Sequence, residues 1–198
     1  MLVAVALAAA LAAPPIVHDP IPYGAERRRQ MAAYSQRHYG YASHRLRPQV
    51  IVLHFTASDS YSSAWNTFAN NSPNRGEMPG TCAHFVVDKA GVIHQLVPLS
   101  LRCRHAIGLN HRAIGIEMVQ ETGQGSHWAD QQILGRRAQI GAVLRLVRWL
   151  QGRYSIAKAD VIGHAMANDH RLFEDREGWR NDHSDWLAPD VRVLRSRL

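Results

Sequence analysis

Hydrophobic and polar positions divide the chain into a few clear runs. Residues 49–57, QVIVLHFTA, form an apolar, β-branched stretch of strand length, the pattern of a central strand buried on both faces. Residues 113–119, AIGIEMV, and 160–164, DVIGH, repeat that pattern in shorter form. Residues 81–87 and 92–97 flank the turn Asp88-Lys89-Ala90-Gly91 and predict a hairpin over 81–97. Helical periodicity is clearest over 131–150. There Ile140, Val143, Leu144, Val147 and Leu150 recur at three and four, with Arg136, Arg137, Arg145 and Arg148 mostly off the stripe. Gly152 suits the C-cap of that helix. The Arg-rich segment 25–39 predicts a surface helix closed by Gly40 and packed through Met31, Tyr34 and Tyr39. Shorter helices are expected from residue 62 or 63 to 70, and over 188–198 with Pro189 in the first turn. Residues 14–24 carry four prolines and read as an extended lead-in, while 71–80, 121–130 and 165–185 read as loops.

A length of 198 residues fits one domain with an added N-terminal piece. Residues 1–13, MLVAVALAAALAA, form an apolar run ending in small residues before Pro14 and read as a signal peptide, although no Lys or Arg precedes the run. The run is too short to span a bilayer, so no stable membrane insertion is expected. The organisation is therefore a leader over 1–13, an N-terminal extension with a helix over 14–47, and a main domain over 48–198. The net charge of +7 and the pI of about 10.0 favour anionic partners, wall polymers among them. The arginines are scattered and no RNA-binding signature is present, which sets nucleic acid aside. Cys82 and Cys103 are too few for a disulfide scaffold; one structural bridge is the first reading, two buried thiols the second and metal ligation the third.

Two of the buried runs end in histidine, Leu53-His54 and Gly163-His164. If those strands are neighbours, both imidazoles leave the sheet at one edge, where open α/β folds place their ligands. The segment after His164 is dense in Asp169, His170, Asp175, Asp182, His183 and Asp185. Two imidazoles and one carboxylate, with a fourth position left for water, describe a catalytic zinc site. Glu117 stands inside an otherwise apolar strand, where an unpaired carboxylate is costly to bury. In a partly dry pocket its pKa would rise toward neutrality and suit it to accept a proton from water.

On these residues the chain resembles a known family. Val52-Leu53-His54-Phe55-Thr56-Ala57, Cys82-Ala83-His84-Phe85-Val86-Val87-Asp88 and Gln95-Leu96-Val97-Pro98 are similar to motifs of the zinc-dependent N-acetylmuramoyl-L-alanine amidases of type 2. So are Arg104-His105-Ala106-Ile107-Gly108, Ala113-Ile114-Gly115-Ile116-Glu117 and Ile162-Gly163-His164, all in the family's order from about residue 48 onward. The resemblance implies a mixed α/β fold shared with the peptidoglycan recognition proteins, in which helices flank a central mixed β-sheet. It implies a secreted or cell-wall-associated enzyme, a monomer, that cleaves the amide between N-acetylmuramic acid and L-alanine of peptidoglycan or its fragments.

The resemblance also implies roles. His54 and His164 match the two zinc histidines, and Glu117 matches the general base. The tyrosine that some relatives use before the second-strand histidine is Ala83 here. The family's Lys-x-Asp-Pro pattern is replaced by Arg180-Asn181-Asp182-His183-Ser184-Asp185. Two registers fit: Asp185 on zinc with protonated His183 stabilising the oxyanion, which is preferred because Asp185 directly precedes the terminal helix, or Asp182 with Arg180. His105 and Asn110 are expected to line the groove and bind substrate. The alternative reading is a non-catalytic muropeptide-binding module of the same fold.

Overall fold

The structure, a computed structural model, describes residues 12–198. The signal peptide expected over 1–13 falls almost wholly outside the described residues. Along the chain come β1 (Val17–His18), α1 (Ala25–Tyr39), β2 (Val50–Phe55), α2 (Tyr61–Ala69), β3 (Phe85–Val87), β4 (Ile93–Gln95) and β5 (Ala113–Met118). They are followed by α3 (Ser126–Gly135), α4 (Arg137–Tyr154), β6 (Val161–Gly163), a 3-10 stretch His164–Asp169 and α5 (Ala188–Ser196). The strands form one sheet in the order β1-β4-β3-β5-β2-β6. The β3–β4 hairpin is antiparallel and every other pairing is parallel, so the sheet is mixed, as the sequence implied.

The two faces of the sheet are filled differently. Ile51, Leu53, Ile114, Ile116 and Met118 pack on one side against Ile140, Val143, Leu146, Val147 and Leu150 of α4 and Val191 and Leu194 of α5. Burying one such side chain contributes about 1.5–3 kcal/mol, so this face supplies much of the stability. Val50 and Val52 face the other way, against Ala106, Leu109, Ala113, Ile162 and Ala167.

Several elements differ from the sequence reading, each for a physical reason. The proline-rich lead-in contains β1, which runs parallel to β4, and Asp19 N and Ile21 N continue the ladder to Gln95 O and Leu96 O at 3.1 Å. Its prolines are tolerated because an edge strand can leave some N–H positions unused. The strand expected over 81–87 pairs only from Phe85, because Cys82 N is diverted to Arg104 O. Cys82 and Cys103 form a disulfide there. The helix expected over 131–150 is two helices: α3 starts at Ser126, inside the predicted loop, and the break falls at Arg136, with φ −85° and ψ 93°. The apolar stripe is continuous because Ile133 and Leu134 before the break and Ile140 and Val143 after it face the same core. Helix α4 runs past Gly152 and ends at Ser155, which takes the left-handed conformation at φ 55°.

The N-terminal segment is fastened to the body of the sheet. Helix α1 ends at Gly40 in the left-handed conformation (φ 79°), and Met31, Tyr34 and Tyr39 are buried as predicted. Buried Arg27 donates to Phe68 O at 2.8 Å and to Thr81 O at 2.9 Å, tying α1 to the end of α2 and to the segment entering β3.

Candidate active site

Strands β2 and β6 are adjacent and parallel, with Leu53 opposite Gly163. His54 and His164 follow those two residues and emerge together at one sheet edge. Along β2, His54 shares its face with Val50 and Val52, so its side chain stands on the face opposite α4. Glu117 lies opposite His54 in the β2–β5 register and points the same way.

The third group arrives from the C-terminal loop. A Cβ at Gly163 would lie 1.7 Å from Trp186 O, so only glycine admits the chain across the end of β6. Ala165 N donates to Asp185 O at 3.0 Å. The Asp130 carboxylate, on α3, accepts from Trp186 N at 3.1 Å and Leu187 N at 2.9 Å. Trp186 is buried and takes φ 56°. These restraints hold Asp185 beside both imidazoles. Asp185 Oδ2 lies 3.1 Å from His54 Nδ1, Asp185 Oδ1 lies 3.1 Å from His164 Nδ1, and the two Nδ1 atoms are 3.1 Å apart.

The surrounding hydrogen bonds decide which ring nitrogens carry protons. His105 Nε2 lies 3.3 Å from Ala113 O and must donate to it, which leaves His105 Nδ1 as an acceptor. His54 Nε2, 3.0 Å from that Nδ1, is therefore the donor. His164 Nε2 lies 2.9 Å from Asn181 Oδ1. The orientation of that amide is fixed by Ile107 N donating to Oδ1 at 2.8 Å and by Nδ2 donating to Ile107 O at 2.9 Å, so His164 Nε2 also donates. Both Nδ1 atoms then present lone pairs to the centre. Burial, reinforced by His164, lowers the His54 pKa to about 4, so the ring is neutral. Asp185 is buried between the two rings, with each carboxyl oxygen 3.1 Å from one of the Nδ1 atoms. Two imidazole lone pairs and a carboxylate thus converge with no proton between them, the donor chemistry of a transition-metal site.

Glu117 is buried, and its Oε2 has no hydrogen-bond partner among the described residues. Burial first, and the nearby Asp185 charge second, push its pKa well above the usual carboxylate value. His183 is exposed and stacks on His164 with ring centroids 4.5 Å apart. Partial desolvation, then the His164 ring, lower its pKa. The two candidate aspartates part company: the side chain of Asp185 is 9% exposed, while that of Asp182 is 69% exposed and pairs with Arg75 at 2.6 Å. His105 and Asn110 both line the groove. Their polar atoms have protein partners: Asn110 Oδ1 accepts from His105 N at 2.8 Å and Ala106 N at 2.7 Å, and Nδ2 donates to Tyr34 OH at 3.3 Å.

The groove over these groups has a volume of about 790 Å³, and its lining includes Thr56, Ser63, Thr67, Thr122, Ser126 and Ser184. Its hydroxyl-rich lining suits a polar ligand with many donors and acceptors. Asn181, which orients His164, and Asp130, which holds the turn after Asp185, are not singled out by sequence. Their neighbours in sequence are equally polar, and only the fold aims them at the site.

Comparison with known proteins agrees with this architecture. The amidase LysCS from Clostridium intestinale, titled an endolysin and N-acetylmuramoyl-L-alanine amidase, superposes with a TM-score of 0.59 at 18% identity, covering 92% of this chain and 96% of that one. A mutant endolysin from Bacillus subtilis gives 0.52 at 23% identity, over 77% and 85% of the two chains. The structure titled PlyL gives 0.54 at 14% identity, over 91% and 97%. At these identities the likeness speaks for the fold. No curated protein sequence matches the chain. The sequence itself matches the family model of N-acetylmuramoyl-L-alanine amidases over residues 44–183, well over half its length. The chain belongs to that family, the hydrolases that cut the amide bond between N-acetylmuramic acid and L-alanine in peptidoglycan.

Proposed function

We propose that the chain performs this hydrolysis as a zinc enzyme, with His54, His164 and Asp185 as the metal ligands and Glu117 as general base. The observation that carries the reading is the convergence of two unprotonated Nδ1 atoms and one carboxylate at 3.1 Å. Such an arrangement repels itself unless a cation sits among the three groups. Zinc bound there would supply a Lewis acid that polarises the scissile carbonyl and acidifies water.

The remaining steps belong to the chain. Glu117 accepts the proton of the attacking water at a carboxylate oxygen and returns it to the leaving nitrogen of L-alanine. Its unpartnered Oε2 and raised pKa suit both transfers, since the base must also become an acid. His183 stands at the open side of His164 and donates a ring N–H to the developing oxyanion. Its lowered pKa favours the neutral form, which still carries one ring N–H to donate. For His105 and Asn110 we assign shaping of the groove wall rather than direct bonds to substrate, because their polar atoms are already engaged.

The apolar run over 1–13 and the Cys82–Cys103 disulfide support export to an oxidising compartment where peptidoglycan lies. Among the described residues, no helix is long and apolar enough to cross a membrane. Mass spectrometry of muropeptide digests, with added zinc and with chelator, tests bond and metal together. Release of the intact stem peptide with zinc and its loss with chelator are expected. Undiminished release from metal-free protein would overturn the zinc assignment.

A further inference from the structure

We propose that the turn over residues 105–110 is a common brace for both candidate ligands, with His105 and Asn181 as positioning residues that hold His54 and His164 in the same Nε2–H tautomer. The proposal rests on the zinc reading for its purpose, though not for its geometry. His105 takes the His54 proton at Nδ1 and is anchored at Nε2 by Ala113 O. Its ring lies flat on β5, where a Cβ at Gly115 would come within 2.8 Å of it. Two residues along the same turn, Ile107 grips the amide of Asn181 through both backbone groups, and that amide takes the His164 proton. Asn110 closes the turn from inside by holding His105 N and Ala106 N. Asn168 fixes Asn181 from the other side, its Oδ1 accepting from Asn181 N at 2.9 Å and Nδ2 at 3.0 Å.

The consequence is mechanical as well as electronic. In the opposite tautomer each Nδ1 would carry a hydrogen aimed at the metal position and could not ligate. A partner on the distal nitrogen removes that choice before metal arrives, and such partners typically contribute 10–100-fold to metal affinity. Because one turn supplies the His54 partner and anchors the His164 partner, the two rings are set together rather than independently. Sequence distance hides this: the bonds join residues 51 and 74 positions apart.

Two variants test the brace: Asn181→Ala, which loses both acceptor contacts, and His105→Phe, which keeps ring volume and loses the acceptor. Long-range 1H–15N spectra of the metal-free proteins at pH 8 report each histidine tautomer, and chelator competition reports zinc affinity. We expect both wild-type rings as Nε2–H. Asn181→Ala should mix the His164 tautomers and weaken zinc binding by about 10–100-fold, and His105→Phe should do the same to His54. Wild-type tautomers and wild-type zinc affinity in a folded Asn181→Ala or His105→Phe protein would overturn the proposal. If Asn181→Ala does not fold, His105→Phe carries the same decision. A wild-type protein with both tautomers set but no zinc uptake would instead sink the zinc reading and leave the brace standing.

Discussion

Along β2, Ile51 and Leu53 turn toward α4 while Val50, Val52 and His54 turn toward the groove, so one strand serves two regions of opposite character. The α4 side is apolar and closely filled where the helix meets the strands, with its buried carboxylates, Asp130 and Asp190, confined to α3 and α5. The groove side spends burial on groups that resist it: a carboxylate with an unpartnered oxygen, two imidazoles facing one another, and an aspartate between them. Stability and chemistry are thus divided by the plane of the sheet. Substitutions on one face should move stability, and those on the other should move activity or metal with little loss of stability.

The largest effect is expected at Glu117. Glu117→Gln should lower turnover by about 10²–10⁴-fold while zinc content, measured by metal analysis, stays near one per chain. Retained turnover would remove Glu117 as base. The same variant sharpens the contrast between faces through pH. In metal-free wild type, the raised Glu117 pKa means the folded state keeps a proton that the unfolded chain has lost. Stability therefore falls as pH rises from the ordinary carboxylate value toward the folded one. Glu117→Gln lacks that loss, so its denaturation midpoint should gain on wild type with increasing pH; parallel profiles would deny the desolvation. Next comes Asp185→Ala, which should abolish zinc retention, whereas Asp182→Ala should leave it intact. The reverse result would move the third ligand to Asp182.

On the opposite face, Leu146→Ala, at a fully buried position of α4, should cost about 2–5 kcal/mol in denaturant unfolding, with zinc affinity of the folded protein unchanged. A selective loss of zinc there would break the division between faces. The smallest effect is expected for Arg75→Ala, whose exposed pairing with Asp182 is worth about 1 kcal/mol or less. A much larger loss of stability would show that the groove rim is held more tightly than its exposure implies.

Much of the site was legible because its signals are local. An apolar run ending in histidine reads as a buried strand with a group at its mouth, and Glu117 inside AIGIEMV stands out because an unpaired buried charge is expensive. The break at Arg136 was not legible, since the stripe of apolar residues runs straight through it. Nor was β1, because a proline-rich segment gives no strand signal until a free edge is beside it.

Sequence alone determined the strands, the two histidines at their ends, the buried glutamate and the family. Tertiary structure decided that Asp185 rather than Asp182 stands beside the histidines, through the passage over Gly163 and the grip of Asp130 on the following turn. It also decided the tautomer of each ring, through His105 and Asn181. The reason is one of range: burial and periodicity act over a few neighbouring residues, whereas the direction of a lone pair is set by partners that only the folded chain brings within 3 Å.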